Sequence, residues 1–237
     1  MENMYLDMLA QLGIGSAHPG GFAHTKRLLK LIPLSSQSSV LDAGCGTGRT
    51  AVYLANQYGC KTAAIDSNPL MIAKASRRVL HEKAAVSLIK GSVESLPYEN
   101  DTFDVVLSES VIAFTNVKQT LAECKRVLRP GGYFACIEMS VEWTLLEHEE
   151  KELRNMYGTK EFLTEQQWYS HLTKCFSTIQ LIEGSTFAAS IHAQKEVPNW
   201  DVSPDIHPSY YNLLAKHEET IAKYQHTLGH RSFLCRV

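Results

Sequence analysis

The stretch Val40-Leu41-Asp42-Ala43-Gly44-Cys45-Gly46-Thr47-Gly48 runs from an apolar strand pattern straight into three glycines at alternate positions. Glycines there let the backbone turn tightly and approach a ligand without interference from a Cβ atom. The helix pattern that begins at Thr50 offers unpaired N–H groups suited to a carboxylate or phosphate. The G-x-G-x-G spacing differs from the G-x-G-x-x-G of dinucleotide sites, and no Gly-Lys-Ser/Thr follows as in nucleotide phosphate loops. A tight turn without a ligand is the alternative interpretation.

Strand and helix patterns alternate around this stretch, which predicts an α/β fold with a doubly wound, mainly parallel sheet and helices on both faces. Asn68-Pro69 predicts a helix start, because asparagine caps helices and proline suits the first helical position. The predicted strands are Val40-Leu41, Lys61–Ile65, Val86–Ile89, Phe103–Leu107 and Tyr133–Glu138, and the predicted helices are Phe22–Leu31, Thr50–Tyr58, Pro69–His81 and Asn116–Leu128.

The pattern changes after Glu138. Two helices are predicted first, Glu142–Met156 and one from the capping box at Thr164 to Lys174. A hairpin of strands Phe176–Ile182 and Thr186–Ala193 then completes seven strands, with an antiparallel terminal strand. The predicted main domain spans 1–195, divided into an N-terminal cap or lid at 1–34, a binding core at 35–140 and closing helices and hairpin at 141–195. Residues 196–237 are predicted to be a helical extension, with its helix at Ser209–Leu228.

Composition narrows the classes of protein. The 237 residues carry 23 Lys+Arg against 25 Asp+Glu, a formal net charge of -2, whereas nucleic-acid binders usually show a strong basic surplus. No apolar run reaches the ~20 residues that span a bilayer, and the first ten residues lack the order of a signal peptide. The six cysteines are scattered without a C-x-x-C pair, which is typical of reduced thiols in a cytoplasmic protein.

Asp66 ends the second predicted strand, about 20 residues after the glycines. A carboxylate in that place can accept both hydroxyl groups of a ribose, as in nucleotide-binding α/β folds. An Asp before Ser67-Asn68-Pro69 can also be ordinary turn chemistry. Its pairing with the glycine stretch favours the ribose interpretation.

Four segments in the same order resemble the motifs of class I S-adenosylmethionine-dependent methyltransferases, and together they are far more specific than any single motif. The segments are Leu41–Gly48, Ile65–Met71, Gly91–Tyr98 with Phe103–Val106, and Leu121–Gly132. The resemblance covers about residues 35 to 140. It implies a Rossmann-like fold and S-adenosylmethionine as the cofactor.

The resemblance also implies roles for residues of this sequence. Asp66 would hold the ribose, and Asp42 would lie near the ammonium group of the cofactor. Ser92 stands where the family often has an aspartate that takes the adenine amino group. The other residues implied to lie against the cofactor are Gly44, Cys45, Gly46, Gly48, Ser67, Asn68, Met71, Val93, Glu94 and Ser108.

Two residues outside these motifs are candidates for catalysis. Glu109 follows the fourth strand and is either an acceptor-side group or a bystander. His18 is either a polar turn residue or part of a flap over the methyl site. Glu138, at the end of the fifth strand, is a weaker candidate because it can simply pair with a surface cation. No metal is predicted, because the histidines lack the paired spacing of metal ligands.

The predicted function is therefore methyl transfer to a small-molecule acceptor. A non-catalytic S-adenosylmethionine-binding sensor or scaffold is an alternative, and the glycine spacing disfavours a nucleotide-dependent oxidoreductase. An apolar stripe at helical spacing, Met4, Tyr5, Met8, Leu9 and Leu12, predicts an N-terminal helix. That helix either covers the site as a lid or packs permanently on the sheet.

Overall fold

The computed structural model describes residues 3–190 and 199–237 and confirms the α/β class. Helices and strands alternate from the N-terminus to β6, except that β5 follows β4 without a helix between them, and a mixed region comes after β6. The strands are β1 (Ile14–Gly15), β2 (Ser39–Ala43), β3 (Lys61–Asp66), β4 (Val86–Lys90), β5 (Phe103–Glu109), β6 (Leu128–Val141), β7 (Thr178–Thr186), β8 (Asn199–Trp200) and β9 (Leu228–Arg236). The helices are α1 (Met4–Leu12), α2 (Gly21–Leu29), α3 (Arg49–Tyr58), α4 (Pro69–His81), α5 (Val117–Val127), α6 (Glu147–Tyr157), α7 (Glu165–Leu172), α8 (Phe187–Ser190) and α9 (Ser209–Lys223), with a 3₁₀ turn at Ile112–Phe114.

Seven strands form the central sheet in the order β4-β3-β2-β5-β6-β9-β7, and β1 pairs with β8 in a separate two-stranded sheet. The pairs of β2 with β3 and β5, of β3 with β4, and of β5 with β6 are parallel. From β2, the chain adds β3 and β4 on one side and then β5 and β6 on the other side. The carboxyl ends of β2, β3 and β5 therefore border a crevice, which is where ligands bind in doubly wound sheets.

Helices cover both faces of the sheet. Leu121 of α5 and Trp168 of α7 are buried in one apolar cluster, and Leu28 of α2 and Leu54 of α3 are buried in another. The predicted start of α4 is confirmed: Asn68 Oδ1 accepts from the N–H groups at 70 and 71, and Pro69 opens the helix. The helix predicted from Glu142 begins only at Glu147. Burial on both faces explains why the strands read as nearly continuous apolar runs.

The predicted terminal hairpin is wrong in its second strand. Residues from Phe187 to Ser190 form the short helix α8, and 191–193 lie outside the described residues. The antiparallel strand is instead β9, which lies between β6 and β7 and is buried along almost its whole length. Residues 196–237 are therefore not a helical extension alone, because they supply this strand. The predicted helix Ser209–Leu228 ends at Lys223, and the chain turns into β9 at Leu228.

The predicted N-terminal helix is present as α1. Tyr5, Met8 and Leu12 are buried in an apolar cluster with residues of α6 and α9, while Met4 on the other side is 63% exposed. Lys74 Nζ donates to the carbonyl oxygens of Gln11 and Asp201, which ties the end of α1 to α4. None of the helices in the described ranges combines the length and apolar character needed to cross a bilayer.

Candidate active site

A cavity of about 960 Å³ opens at the carboxyl ends of β2, β3 and β5. The loops that follow these strands line one part of it, and α1, the 3₁₀ turn, α6 and α9 supply side chains to another part. The cavity is large enough for a nucleotide-sized molecule together with a second small ligand.

The three glycines of the β2–α3 loop all have positive φ but serve different contacts. A Cβ on Gly46 would meet only Met71 Sδ, at 4.0 Å, so this glycine presents open backbone to the cavity. A Cβ on Gly44 would overlap the side chain of Val111, and one on Gly48 would lie 3.0 Å from Ala75 Cβ. Gly46 is therefore the glycine whose backbone a ligand could approach closely, whereas Gly44 and Gly48 allow close packing within the protein.

Asp66 holds the loop as well as facing the cavity. Its Oδ2 accepts from Gly46 N–H at 2.9 Å and its Oδ1 accepts from Asn68 N–H at 2.8 Å. Burial raises the pKa of Asp66, and the hydrogen bonds from the backbone N–H groups oppose that rise. Because each carboxylate oxygen has more than one acceptor site, Asp66 retains lone pairs for the hydroxyl groups of a bound ribose.

Asp42 is a buried carboxylate, 2% exposed, at the end of β2. Among the residues that the structure describes, its Oδ2 has no hydrogen-bond partner. Burial, reinforced by the nearby Glu109 and Asp66 carboxylates, raises the pKa of Asp42 well above its usual range. A buried carboxylate oxygen without a partner is costly, so this position favours a ligand that brings a positive charge.

Most residues that the sequence singled out are brought together here. Thirteen of them line the cavity: His18, Asp42, Gly44, Cys45, Gly46, Asp66, Ser67, Asn68, Met71, Ser92, Val93, Glu94 and Glu109. Gly48 and Ser108 do not line it; Gly48 caps α3, and Ser108 Oγ donates to Glu138 at 3.4 Å. The carboxylate of Glu94 accepts from Asn116 N–H and from Lys160, so that side chain holds neighbouring loops together.

The two catalytic candidates are paired. His18 Nε2 lies 3.3 Å from Glu109 Oε1, and both side chains are nearly fully buried. Thr25 Oγ1 contacts both residues, at 3.0 Å from His18 Nε2 and 2.5 Å from Glu109 Oε1. Thr50 donates to Glu109 Oε2 at 2.7 Å. Sequence reasoning missed both threonines, because neither belongs to a recognisable motif.

Glu138 has a structural position instead. It is fully buried and accepts from the backbone N–H groups of Val111, Ile112 and Ala113 at 3.1–3.4 Å, which fixes the turn after β5. Burial raises the pKa of Glu138 to about 7, although these hydrogen bonds lower it. The expected alternative, pairing with a surface cation, is wrong because the side chain is buried on backbone N–H groups.

The far part of the cavity is apolar and aromatic. Tyr5 stacks on Phe114 at 6.3 Å between ring centroids and meets Tyr157 edge-on at 5.0 Å. Tyr157 Oη lies 3.2 Å from His217 Nδ1, and burial lowers the pKa of His217 to about 4. His217 is therefore neutral near pH 7. The other apolar residues of this part are Leu6, Leu9, Ile14, Met139, Phe187 and Ile221.

Comparison with known proteins agrees with this geometry. Residues 41–136 match the model of the methyltransferase domain. The chain is 33% identical over 230 residues to the uncharacterized methyltransferase YodH of Bacillus subtilis, which covers 97% of both proteins. The chain belongs to the class I S-adenosylmethionine-dependent methyltransferases. This full-length relative favours an enzyme over the non-catalytic alternative.

Two solved methyltransferases share the fold of this one. Phosphoethanolamine N-methyltransferase 2 of Haemonchus contortus, in complex with S-adenosyl-L-methionine, superposes with a TM-score of 0.76 at 22% identity, over 98% of this chain and 56% of that one. Geranyl diphosphate C-methyltransferase of Streptomyces coelicolor superposes with a TM-score of 0.71 at 11% identity, over 91% of this chain and 80% of that one. At these identities, the likeness concerns the fold.

The residues of this methyltransferase fit S-adenosylmethionine, its cofactor. The unpartnered Asp42 Oδ2 suits the cofactor's ammonium group, and the open backbone at Gly46 leaves room for the ligand. Asp66 would hold the ribose through its remaining lone pairs. When bound, S-adenosylmethionine supplies a methyl group on a sulfonium sulfur, which leaves with the electron pair of the broken bond.

Proposed function

We propose that this methyltransferase acts on an apolar small molecule whose acceptor atom must lose a proton, such as a phenol or an acidic carbon. The observation that carries the proposal is the 3.3 Å contact between His18 Nε2 and Glu109 Oε1 inside the cavity. Amine and thiolate acceptors need little more than alignment with the methyl group, whereas phenols and carbon acids need a base.

The hydrogen bonds of the pair suit a base. Thr25 Oγ1 donates its one proton to Glu109, so it accepts from His18 Nε2, and we assign the ring proton of His18 to Nε2. The Glu109 carboxylate lines the cavity and can take the proton of the acceptor. His18, Thr25 and Thr50 hold that carboxylate in place.

The lining of the cavity supports an apolar acceptor. Tyr5, Phe114 and Tyr157 form an aromatic wall away from the glycine loop. Within the described lining, Arg49 is the one lysine or arginine, and its guanidinium lies 4.2 Å from the centroid of the Phe22 ring. A phosphate-bearing acceptor would need more cationic groups than this lining supplies. The two solved neighbours, named for phosphoethanolamine and geranyl diphosphate, differ in acceptor, so the fold alone does not select one.

The test compares acceptors that share one skeleton. Purified enzyme is assayed for S-adenosylhomocysteine release with apolar phenols and with the corresponding apolar amines. We expect His18→Gln and Glu109→Gln to lower kcat for phenols by about 10²-fold, with unchanged affinity for S-adenosylmethionine. His226→Gln, at an exposed position, is the control and should keep full kcat. Transfer to amines alone, or full kcat with phenols in both variants, would contradict the proposal.

The remaining sequence expectations stay as proposals. We keep residues 35–140 as the cofactor-binding core and 1–34 as its cap. A cytoplasmic location is supported by the cysteines, which are all free thiols and, apart from Cys175, buried.

A further inference from the structure

Three polar side chains from α2, β7 and β9 meet outside the His18–Glu109 pair. His24 comes from α2, Glu183 from β7 and His230 from β9, and their candidate ligand atoms lie within 4.8 Å of one another. The methyl-transfer chemistry uses none of them, and none lines the main cavity. Two histidines and a carboxylate on three separate elements are a ligand set typical of Zn²⁺.

Both imidazole rings turn Nε2 toward Glu183. His24 Nε2 lies 3.7 Å from Glu183 Oε2, and His230 Nε2 lies 3.8 Å from Glu183 Oε1. Bonds of about 2.0–2.1 Å in tetrahedral geometry hold ligand atoms about 3.4 Å apart. A shift of a few tenths of an ångström therefore brings both contacts to coordination geometry.

His230 has the clearest need for a ligand. The side chain is 1% exposed, and neither ring nitrogen has a hydrogen-bond partner within the described part of the chain. Buried polar atoms in folded proteins almost always have a partner, so an exception of this kind needs an explanation. A bound cation supplies one, because it takes the lone pair of Nε2.

His24 is oriented as a metal ligand would be. Its Nδ1 lies 3.3 Å from the carbonyl oxygen of Pro19, and donation there places the lone pair on Nε2. Metal-binding histidines commonly donate their other N–H to a backbone carbonyl in this way. Nε2 is also 3.0 Å from Ser232 Oγ, but that hydroxyl has a second acceptor in the carbonyl oxygen of Glu183, at 3.3 Å.

We propose that His24 Nε2, His230 Nε2 and the Glu183 carboxylate form a binding site for one Zn²⁺ ion, with water as the fourth ligand. The ion would join α2 to β7 and β9. Through the Pro19 carbonyl it would also hold the segment that carries His18. The spacing argument from sequence predicted no metal, and it could not detect this site because the three ligands meet only in the folded sheet.

Arg27 is the natural competitor for the ion. Its Nη2 donates to both oxygens of Glu183, at 3.0 and 2.9 Å, and both side chains are partly exposed. This exposure gives a cation a path to the carboxylate from solvent. A positive guanidinium next to the site repels a divalent cation, so removal of Arg27 should strengthen metal binding.

The experiment titrates the full chain, freed of metal with a chelator and desalted, with Zn²⁺ by calorimetry and with Co²⁺ by visible absorption. We expect one equivalent per chain, the intense absorption of tetrahedral Co²⁺, and a higher Tm with Zn²⁺. Glu183→Gln and His24→Gln should each weaken binding about 100-fold, and Arg27→Gln should strengthen it several-fold. His226→Gln, an exposed histidine, should bind as the unmodified chain does.

Folding of each variant is checked by circular dichroism and by its affinity for S-adenosylmethionine. Glu183 is the decisive position if a buried histidine variant fails to fold, because its side chain is 38% exposed. Binding that persists unchanged in Glu183→Gln would overturn the site. So would the absence of saturable binding at one equivalent in the unmodified chain.

Discussion

The carboxylate of Asp66 accepts a hydrogen bond from the backbone N–H of Gly46, at 2.9 Å across the gap between β2 and β3. The residue proposed to hold the ribose therefore also fixes the loop proposed to cradle the rest of the cofactor. Loss of the carboxylate would remove a ligand contact and loosen the loop at the same time. Separate variants are therefore needed to distinguish the two effects.

Asp66→Ala should weaken S-adenosylmethionine binding by about 2 kcal/mol or more, because the ribose hydroxyls lose a charged acceptor. Asp66→Asn keeps one oxygen for a backbone N–H and should lose less affinity. Calorimetric titration measures both, and circular dichroism checks that the fold survives. Unchanged affinity in Asp66→Ala would remove Asp66 from the site.

Gly46→Val should abolish cofactor binding at a small cost in stability, since its side chain would project into the cavity. Gly44→Val should instead lower the Tm strongly, because a Cβ there overlaps Val111. Both positions have positive φ, so both substitutions strain the backbone. The difference between the two Tm values therefore reflects the space around each new side chain. Equal losses of Tm in the two variants would contradict the assignment of Gly46 as the cradle.

Thr25→Val should lower kcat about tenfold while leaving cofactor affinity unchanged, because Thr25 links His18 to Glu109 without lining the cavity. Thr25→Ser retains the hydroxyl and should restore most of kcat. We regard Thr25 as a positioning residue. Steady-state kinetics with the best acceptor measure the effect, and a Ser variant as slow as the Val variant would show that packing, not the hydroxyl, matters.

Met8→Ala should lower the free energy of unfolding by about 2–5 kcal/mol, because Met8 is fully buried between α1 and its neighbours. Met4→Ala, on the exposed side of the same helix, should change it by less than about 0.5 kcal/mol. Urea unfolding measures both. This burial favours a permanently packed helix over a lid.

Deletion of residues 1–17 is a second test of whether α1 is a permanently packed helix or a lid. We expect a lower Tm together with loss of turnover. A truncated protein with an unchanged Tm, retained cofactor binding and turnover reduced at least tenfold would instead support the lid.

The free energy of unfolding should fall as the pH rises from 5 to 8, because folded Glu138 loses its proton in this range. Its pKa is about 7 when folded and near 4.5 otherwise, so the folded state holds the proton more tightly. The stabilisation from that proton is complete below about pH 4.5 and is lost as the pH rises through 7, about 2–3 kcal/mol over this interval. Urea unfolding at both pH values should show a smaller fall in Glu138→Gln. Identical falls in the two proteins would mean that Glu138 does not titrate there.

The fold was predictable from sequence wherever local signals agreed. Asn68-Pro69 and the Thr164–Gln167 capping box place helix starts correctly, because a cap needs only neighbouring residues. The last strand was missed because His230, Arg231 and Ser232 interrupt its apolar pattern. Arg231 is accommodated in the buried strand by Glu142 and Glu165, which lie far away in sequence.

In the candidate site, too, only the features that depend on neighbouring residues could be predicted from sequence. The glycine loop and Asp66 are contiguous with their strands and could be found by spacing. The pairing of His18 with Glu109 could not, since it depends on how α2 docks beside β5. The lining of the cavity also includes His217 and Ile221 of α9, which the sequence placed in a separate extension, so the position of Tyr157 against His217 had no local signal.

The place of β9 also affects how the chain emerges from the ribosome. β7 is hydrogen-bonded to the sheet through β9, yet β7 ends at Thr186 and β9 begins only at Leu228. Until β9 is synthesised, the edge of β6 has no partner on that side, and its apolar residues such as Phe134 stay without their final cover. Unpaired strand edges attract other chains. Nascent chains should therefore depend on chaperones most between the synthesis of β6 and that of β9.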